Sequence, residues 1–530
     1  MARSSRSWIG IDLGTSTTLV ADGADVLALG ALNPWIPSIA AIGDAGIVVG
    51  DDAEAFDPAR VLRSPKRYIT EQRYADSLES PPAGLDPLDA LEQLLRHATE
   101  KARGLGVEVK GGGVRLGCPA MWTGEQRRTL CDLAAAVGID VEIGDLIEEP
   151  VAVGVSWILE QRDAGEYESG GRVVVVDAGG GTTDVAVIQA EDSATSLHFS
   201  VLASDAISTA GDHVDQTVSS YLRGRDSIAA EDASDVELLR VSRFLKEALT
   251  TEREARASYG RSGSATSLTR DEFDDAFAST ADRVVRFTKA VVRSALMRER
   301  DPLTPDQIRA QPWDVTRRSV DTVVLAGGTG RIPALRMALE ECFGLPVVEL
   351  VSPQTAVVEG LAAAVDYGRI NLPRPPFDFV LSYESKVGTV TKSLYEAFTP
   401  LYEWHQVFGG STQYRRAVTL DGMSPGSVVK VACMTPGPNA EEVPLAINWV
   451  QDGGHSVERT ELAGAFTVGH DGRGAFALVL RPDGTVIVDG TKYQIDDWPV
   501  VRGRQNRAAL PPINVRRPFT VARDWDDQSK

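Results

Sequence analysis

Two carboxylates, each at the end of an apolar run, carry the clearest chemistry in this sequence. Asp177 closes VVVVD and is followed by Gly179, Gly180, Gly181, Thr182, Thr183 and Asp184. Asp12 closes WIGID and is followed by Leu13, Gly14, Thr15, Ser16, Thr17 and Thr18. Glycines lack a Cβ, so backbone N–H groups there can approach a bulky anion. The hydroxyls add donors for phosphate oxygens, and a carboxylate beside them suits a hydrated Mg²⁺. Either stretch alone reads equally well as a tight loop or a plain hairpin turn. Two of them about 165 residues apart in one chain point to a paired phosphate clamp.

Such turns need buried strands behind them. Four successive valines, 173 to 176, require burial on both faces, as in a covered and mostly parallel sheet. Around the first turn, residues 8–11 and Leu19-Val20-Ala21 form a strand pair. A third strand, Val114 to Cys118, ends at Pro119. The helix after it is opened by the capping box Thr123 and Gln126, lined by Leu130, Leu133, Ala134 and Val137, and stopped at Gly138. Leu91, Leu94, Leu95 and Ala98 predict an amphipathic helix from about Asp89. The buried run Thr322 to Ala326 enters Gly327-Gly328-Thr329-Gly330-Arg331 and then a helix opened by Pro333 and closed at Gly344, a third anion-friendly corner. Small-residue helices are expected after Pro150 and across 352–365, so the chain contains two copies of one plan. Residues 227–300 read as largely helical, with Val284, Phe287, Thr288, Val291 and Ala295 on one face.

Other titratable residues are ambiguous in isolation. Lys66 reads as a solvated lysine. Glu148 and Glu149 read either as carboxylates at a cleft or as residues favouring a helix N-terminus. His213 lacks metal-ligand companions and is taken as structural. Cys118, Cys131, Cys342 and Cys433 show no metal spacing, so reduced thiols in the cytoplasm are expected.

With 54 basic and 75 acidic side chains, the net charge of −21 disfavours nucleic acid and anionic membrane as bulk partners. Hydrophobic content of 43% and charged content of 24% suit a soluble globular protein of two to four domains. The opening residues lack a signal-peptide pattern, and no apolar run approaches the ~20 residues that span a bilayer.

IGIDLGTSTTLVA, EEPVAVGV, VVVVDAGGGTTDVAVI and VVLAGGTGRIPALRMAL, in that order, resemble the phosphate-1, connecting, phosphate-2 and adenosine motifs of the actin-like ATPase superfamily. Within it they are most similar to the nucleotide-binding domain of the seventy-kilodalton heat-shock chaperones. Lys66-Arg67, Pro119 with Arg127, Glu149-Pro150 and Leu268-Thr269-Arg270 match further motifs of that family, so the resemblance covers roughly residues 8–368. It implies an α/β fold of two ribonuclease-H-like lobes with ATP and Mg²⁺ between them, followed by an all-β domain.

The resemblance also implies roles. Asp12 and Asp177 would hold the Mg²⁺. Gly14, Thr15, Ser16, Gly179, Gly180, Gly181 and Thr182 would hold phosphates. Lys66 would act on the γ-phosphate, and Glu149 and Asp184 would orient the attacking water. Lys246, Gly327, Gly328 and Arg331 would hold adenosine. Pro119 and Arg127 would relay nucleotide state to the attached domain. The sequence departs from the family at Arg243 and Glu247, a charge swap around Lys246, at Gly330 and at Gln354, so the adenine site is expected to be modified.

The last third organises the partner side. Leu372-Pro373-Arg374-Pro375-Pro376 reads as a stiff linker. Short β-rich runs follow, with turns at Asp421-Gly422, Asp452-Gly453, Asp471-Gly472 and Pro482-Asp483-Gly484, the pattern of an antiparallel sandwich. The expected division is a nucleotide-binding domain at 1–368, a linker at 369–376, a β domain at 377–500 and a tail at 501–530. The expected function is a slow magnesium-dependent ATPase that binds a polypeptide client or protein partner, with exchange factors or co-chaperones as further partners. The alternatives are a small-molecule kinase or a filament former of the same superfamily.

Overall fold

The glycine-containing turns after Asp12 and Asp177 are each the hairpin within a mixed sheet. The computed structural model describes residues 8–495 except 45, 72–80, 110–112, 193–196, 261–262, 297–310, 364, 366–369, 371–373, 400, 402–413, 424–427, 437–439, 451–456, 464, 470–474 and 482–483. In the first half, β1 (Ile9–Leu13) and β2 (Thr17–Asp22) pair antiparallel, with β3 (Asp25–Val26) and β4 (Ile36–Pro37) along β2. The turn proper is therefore residues 14–16, shorter than expected, because Asp12 and Leu13 stay in β1 while Thr17 and Thr18 already pair in β2. β5 (Ile39–Gly43), β6 (Gly46–Val49) and β7 (Val61–Arg63) form a separate three-stranded sheet. α1 (Arg67–Thr70) starts at Lys66, and α2 (Pro87–Gly104) is capped by Asp86, whose carboxylate accepts from Leu88 and Asp89 N–H. β8 (Val114–Cys118) runs parallel to β1. α3 (Gly124–Ala136) leads to β9 (Leu146–Glu148), parallel to β8. Leu91, Leu94, Leu95 and Ala98 of α2 and Leu130 and Ala134 of α3 bury against this sheet, as their spacing predicts.

The second half repeats the plan. α4 (Glu149–Ala164) precedes β10 (Arg172–Ala178), β11 (Thr183–Asp192) and β12 (Leu197–Ile207), an antiparallel meander. α5 (Gly211–Arg225) and α6 (Asp235–Ala248) follow, then β13 (Glu254–Tyr259), β14 (Ser264–Thr269) and α7 (Arg270–Ala295). The β13–β14 hairpin corrects the expected helical reading of 227–300; its strands bury little beyond Ala255, Thr266 and Leu268, too weak an apolar pattern to read as strands. β15 (Thr322–Ala326) is parallel to β10, α8 (Pro333–Phe343) ends at Gly344 in the left-handed region, and β16 (Val347–Glu349) and α9 (Ala356–Ala362) complete the half. The valines bury on both faces as expected: Val174 and Val176 face α5 and α7, while Val173 and Val175 face α4.

α4 and α9 tie the halves together. α4 leaves the first sheet and packs on the second, whereas Val358 and Ala362 of α9 pack on Leu19 and Ala21 of β2. The two helices touch where a Cβ on Gly360 would stand 2.0 Å from the carbonyl oxygen of Ala152.

After residue 376 the described chain is all antiparallel β. β17 (Asp378–Ser385), β18 (Gly388–Tyr395), β19 (Tyr414–Thr419), β20 (Val428–Met434), β21 (Leu445–Val450), β22 (Val457–Ala463), β23 (Ala465–Gly469), β24 (Ala475–Leu480), β25 (Thr485–Val488) and β26 (Thr491–Gln494) make two sheets. Their orders are β18-β17-β20-β23 and β19-β24-β25-β26-β21-β22. Phe377, Phe379, Leu381, Phe466, Phe476 and Leu478 share their core. The expected turn at Asp421-Gly422 is present, with Gly422 at φ 75. The expected turns at Asp452-Gly453 and Asp471-Gly472, residues 482–483, the tail at 501–530, and linker residues 369 and 371–373 lie outside the described residues.

Candidate functional site

Asp12 on β1 and Asp177 on β10 stand at equivalent places in the two sheets and are both buried. The turns beyond them meet face to face. A Cβ on Gly180 would stand 2.1 Å from Ser16 Oγ, and one on Gly181 would stand 2.7 Å from Thr15 Oγ1. A Cβ at either glycine would displace these hydroxyls. The second turn is braced from below: Gly211 N–H donates to Gly179 O at 3.1 Å, Asp212 N–H to Gly180 O at 2.7 Å and Thr329 Oγ1 to Gly179 O at 2.7 Å. Gly327, at φ 78, lies so close that a Cβ would meet Ala178 O at 2.3 Å and Asp177 Oδ1 at 2.6 Å.

Three further predicted residues converge here. Lys66 is only 2% exposed, which corrects the reading of a solvated side chain, and its Nζ donates to Glu149 Oε1 at 2.5 Å. Asp184, paired with Asp177 across β10 and β11, accepts from Ala120 N–H at 2.7 Å. Burial raises the carboxyl groups of Asp12, Asp177 and Asp184 above the ordinary aspartate range, and the negative charge of Glu149 adds to the rise in each. Burial pulls the Lys66 ammonium down, but Glu149 and Asp12 outweigh it and hold the group above its ordinary value. Four carboxyl groups crowd one ammonium, their charges raising the proton affinity of the three aspartates, and Asp12 Oδ1 is buried with no hydrogen-bond partner. A divalent cation between Asp12 and Asp177 would answer both facts, so the donor set fits Mg²⁺.

The residues expected to border adenosine differ in their surroundings. Lys246 is buried, with Nζ 2.6 Å from Asp215 Oδ1 and donating to Gly211 O at 3.1 Å. Arg243 donates from Nε to Asp215 Oδ2 at 3.1 Å and from Nη2 to Asp212 Oδ1 at 3.0 Å, while Glu247 is exposed. Arg243 and Lys246 of α6 thus pair with Asp212 and Asp215 of α5, and Arg67 Nη1 lies 3.9 Å from Asp212 Oδ2. Gly328 and Arg331 are exposed, and a Cβ on Gly330 would press on Leu325 Cγ at 3.1 Å. His213 makes no metal cluster, and among the described residues no group of metal-ligating side chains of that kind is found.

Residues 374–376 of the expected linker are buried. Arg374 is 4% exposed, and Pro375 and Pro376 pack into the protein with it. Arg374 donates to Ala120 O of the first half, to Ser204 O of the second and to Phe398 O, and its Nη1 lies 3.4 Å from Glu148 Oε1. The same Glu148 oxygen accepts from Arg127 Nη2 at 3.0 Å. Asp205 is buried alongside; burial raises its carboxyl well above the ordinary range, with Arg374 opposing. Arg127, predicted as a relay, lies with its guanidinium 4.9 Å from the Phe398 ring centroid. Arg128 pairs with Glu396 at 2.7 Å, and Ala397 and Phe398 bury against Ile143. Sequence reasoning missed Arg374, Asp205 and the role of Glu148; a lone arginine between prolines gives no periodic signal.

None of the four cysteines is disulfide-bonded, and burial pushes the Cys118 thiol up to about 12. Among the described residues no helix is long and apolar enough to cross a membrane.

A family model described as "Hsp70 protein" matches residues 90–372. The chain is 30% identical over 383 residues to the Chaperone protein HscA homolog of Chromobacterium violaceum, covering 67% of this chain and 57% of that protein. It is 27% identical over 387 residues to the homolog of Histophilus somni, covering 68% and 57%, and 28% identical over 389 residues to Chaperone protein HscA of an Enterobacter species, covering 68% and 58%. The match thus spans 57% to 58% of the length of these chaperones.

Proposed function

The chain belongs to the Hsp70 family, and on that premise we propose that it binds ATP with Mg²⁺, hydrolyses it slowly, and couples closure of its two lobes to the binding of a polypeptide by the C-terminal β domain. The single observation that carries the reading is the meeting of Asp12, Lys66, Glu149, Asp177 and Asp184 between two facing glycine turns.

Phosphoryl transfer needs positioning and charge neutralisation more than covalent chemistry. Asp12 and Asp177 would hold the Mg²⁺, which when bound neutralises charge on the phosphates. Backbone N–H groups of residues 14–16 and 179–182, with the hydroxyls of Thr15, Ser16 and Thr182, would orient the phosphate oxygens. Lys66 would turn from Glu149 toward the γ-phosphate, and Glu149 and Asp184 would orient water for in-line attack. Lys246, Gly327, Gly328 and Arg331 would border the adenosine. The commitment of Arg243 to Asp212 and Asp215 supports weakened contacts to base and ribose.

Coupling is supported by the contact of residues 396–398 with α3, the helix that carries Arg127. A domain boundary at 369–376 is supported by α9 ending before it and antiparallel β structure beginning after it. Exchange factors or co-chaperones are the partners to seek, in keeping with the chaperone names of the relatives.

The test is Asp177→Asn in the full chain. Magnesium-dependent turnover should fall about a hundredfold while circular dichroism is unchanged. Unchanged turnover would place the site elsewhere. ATP binding without turnover in the unaltered protein would make it a nucleotide-gated binding protein, and transfer of phosphate to a small molecule would make it a kinase.

A further inference from the structure

We propose that Trp122 is a positioning residue for Lys66: its indole face holds the lysine ammonium, and its ring N–H ties that geometry to the helix the lysine begins. The inference rests on the ATPase reading above and adds a residue that neither the motifs nor the comparisons assign.

Trp122 is fully buried, and Lys66 Nζ lies 5.4 Å from its ring centroid, within the range of a cation–π interaction. The ammonium thus sits between a carboxylate, Glu149, and an aromatic face. These partners differ in what they demand. Glu149 takes one directed N–H donor of the ammonium, which Lys66 redirects when it turns to a phosphate. The ring attracts the charge through its quadrupole and needs no donor aimed at it. The ammonium can therefore exchange Glu149 for a phosphate oxygen while the indole keeps it in place.

The other end of the indole fixes the backbone. Its Nε1–H donates to Thr70 Oγ1 at 3.1 Å, and that hydroxyl donates to Lys66 O at 3.3 Å. Gln126 adds bonds to Ile69 O at 2.8 Å and Thr70 O at 3.0 Å. A four-residue helix has little stability of its own, so α1 depends on these contacts from the residues that open α3. Trp122 is the one residue of the group that reaches both the ammonium and the helix end.

Steady-state ATP turnover with Mg²⁺ in the full chain, for Trp122→Leu and Trp122→Phe, separates this role from core filling. Leucine fills space without a ring, so kcat should fall about tenfold with KM for ATP within about twofold. Phenylalanine keeps the ring, so kcat should stay within about threefold of the parent. Equal impairment of both variants, a change confined to KM, or no change in Trp122→Leu would overturn the proposal. A second readout needs no turnover. In protein carrying 5-fluorotryptophan, the Trp122 ¹⁹F resonance is assigned by its loss in Trp122→Phe and should shift on Lys66→Met; a fixed resonance would overturn the contact. Absence of turnover in the parent would refute the ATPase reading, and the spectrum would still decide whether Trp122 holds Lys66.

Discussion

Arg374 donates from Nη1 to the carbonyl oxygen of Ala120, whose own N–H donates to Asp184 Oδ1 at 2.7 Å. One residue, Ala120, thus has the linker at its carbonyl and a carboxylate of the proposed reaction centre at its N–H, through the two peptide units that flank its Cα. The second guanidinium nitrogen reaches Ser204 O on the opposite lobe, so a single side chain closes the seam between the two sheets behind the site.

Removing that side chain should open the seam. Arg374→Ala leaves Glu148 with Arg127 alone, and breaking a buried charge group costs about 3 to 5 kcal/mol. The expected outcome is a lower thermal midpoint and a larger radius of gyration by small-angle scattering. Arg374→Lys should fail to restore either, because one ammonium on a flexible stem does not reproduce a planar fork aimed at two lobes. An unchanged radius in Arg374→Ala would mean that the β domain is held by other contacts.

Gly124 offers a way to undock the β domain without touching the cleft. A Cβ there would stand 2.8 Å from Ala397 O and 2.8 Å from Glu396 Cβ, and the neighbour is backbone that cannot swing aside. Gly124→Val should lengthen the distance between spin labels on α3 and β18, measured by pulsed electron resonance, while ATP affinity stays within about twofold because no cleft residue changes. Loss of ATP binding would show that the docked domain helps build the site.

How far the sequence reveals all this depends on the size of each signal. The valine strand and both glycine turns are legible because burial on two faces and close backbone approach leave compositional marks over several residues. α2 and α3 are legible from spacing and caps. The hairpin Glu254–Tyr259 with Ser264–Thr269 is not, because it buries few side chains and its strands read as polar. β18 is similarly hidden: only Leu394 and Tyr395 of its eight residues are buried. Arg374 and Asp205 belong to a different class. Arg374 meets Ala120, Ser204 and Glu148, and Asp205 meets Arg374, across more than a hundred residues, so no local window contains these contacts.

Gly360 tests the crossing of the two helices that join the lobes. A Cβ would stand 2.0 Å from Ala152 O and 2.4 Å from its carbon. Gly360→Ala should force α4 and α9 apart and destabilise by about 1 to 3 kcal/mol, the usual range for overpacking. Urea unfolding followed by far-ultraviolet dichroism reads the shift; an unchanged midpoint would mean that the helices separate freely.

Asp205 gives a dependence on pH whose sign follows from its burial. Burial raises its carboxyl well above the ordinary 3.8, with Arg374 and the N–H of Ala206 working against the rise. The folded protein therefore binds a proton that the unfolded chain releases across the window from 3.8 up to the raised folded value. Its contribution to stability is fully present below 3.8 and is lost as pH rises through the folded value. Asp205→Asn removes the titrating group, so it should flatten that part of the profile and gain stability relative to the parent toward alkaline pH. In Arg374→Ala the opposing charge is gone, so the loss in the parent background should extend to higher pH and the double variant should not show it. Thermal midpoints taken from pH 5 to pH 9 check both. Parallel profiles for the parent and Asp205→Asn would mean that the carboxyl does not hold its proton in the folded protein.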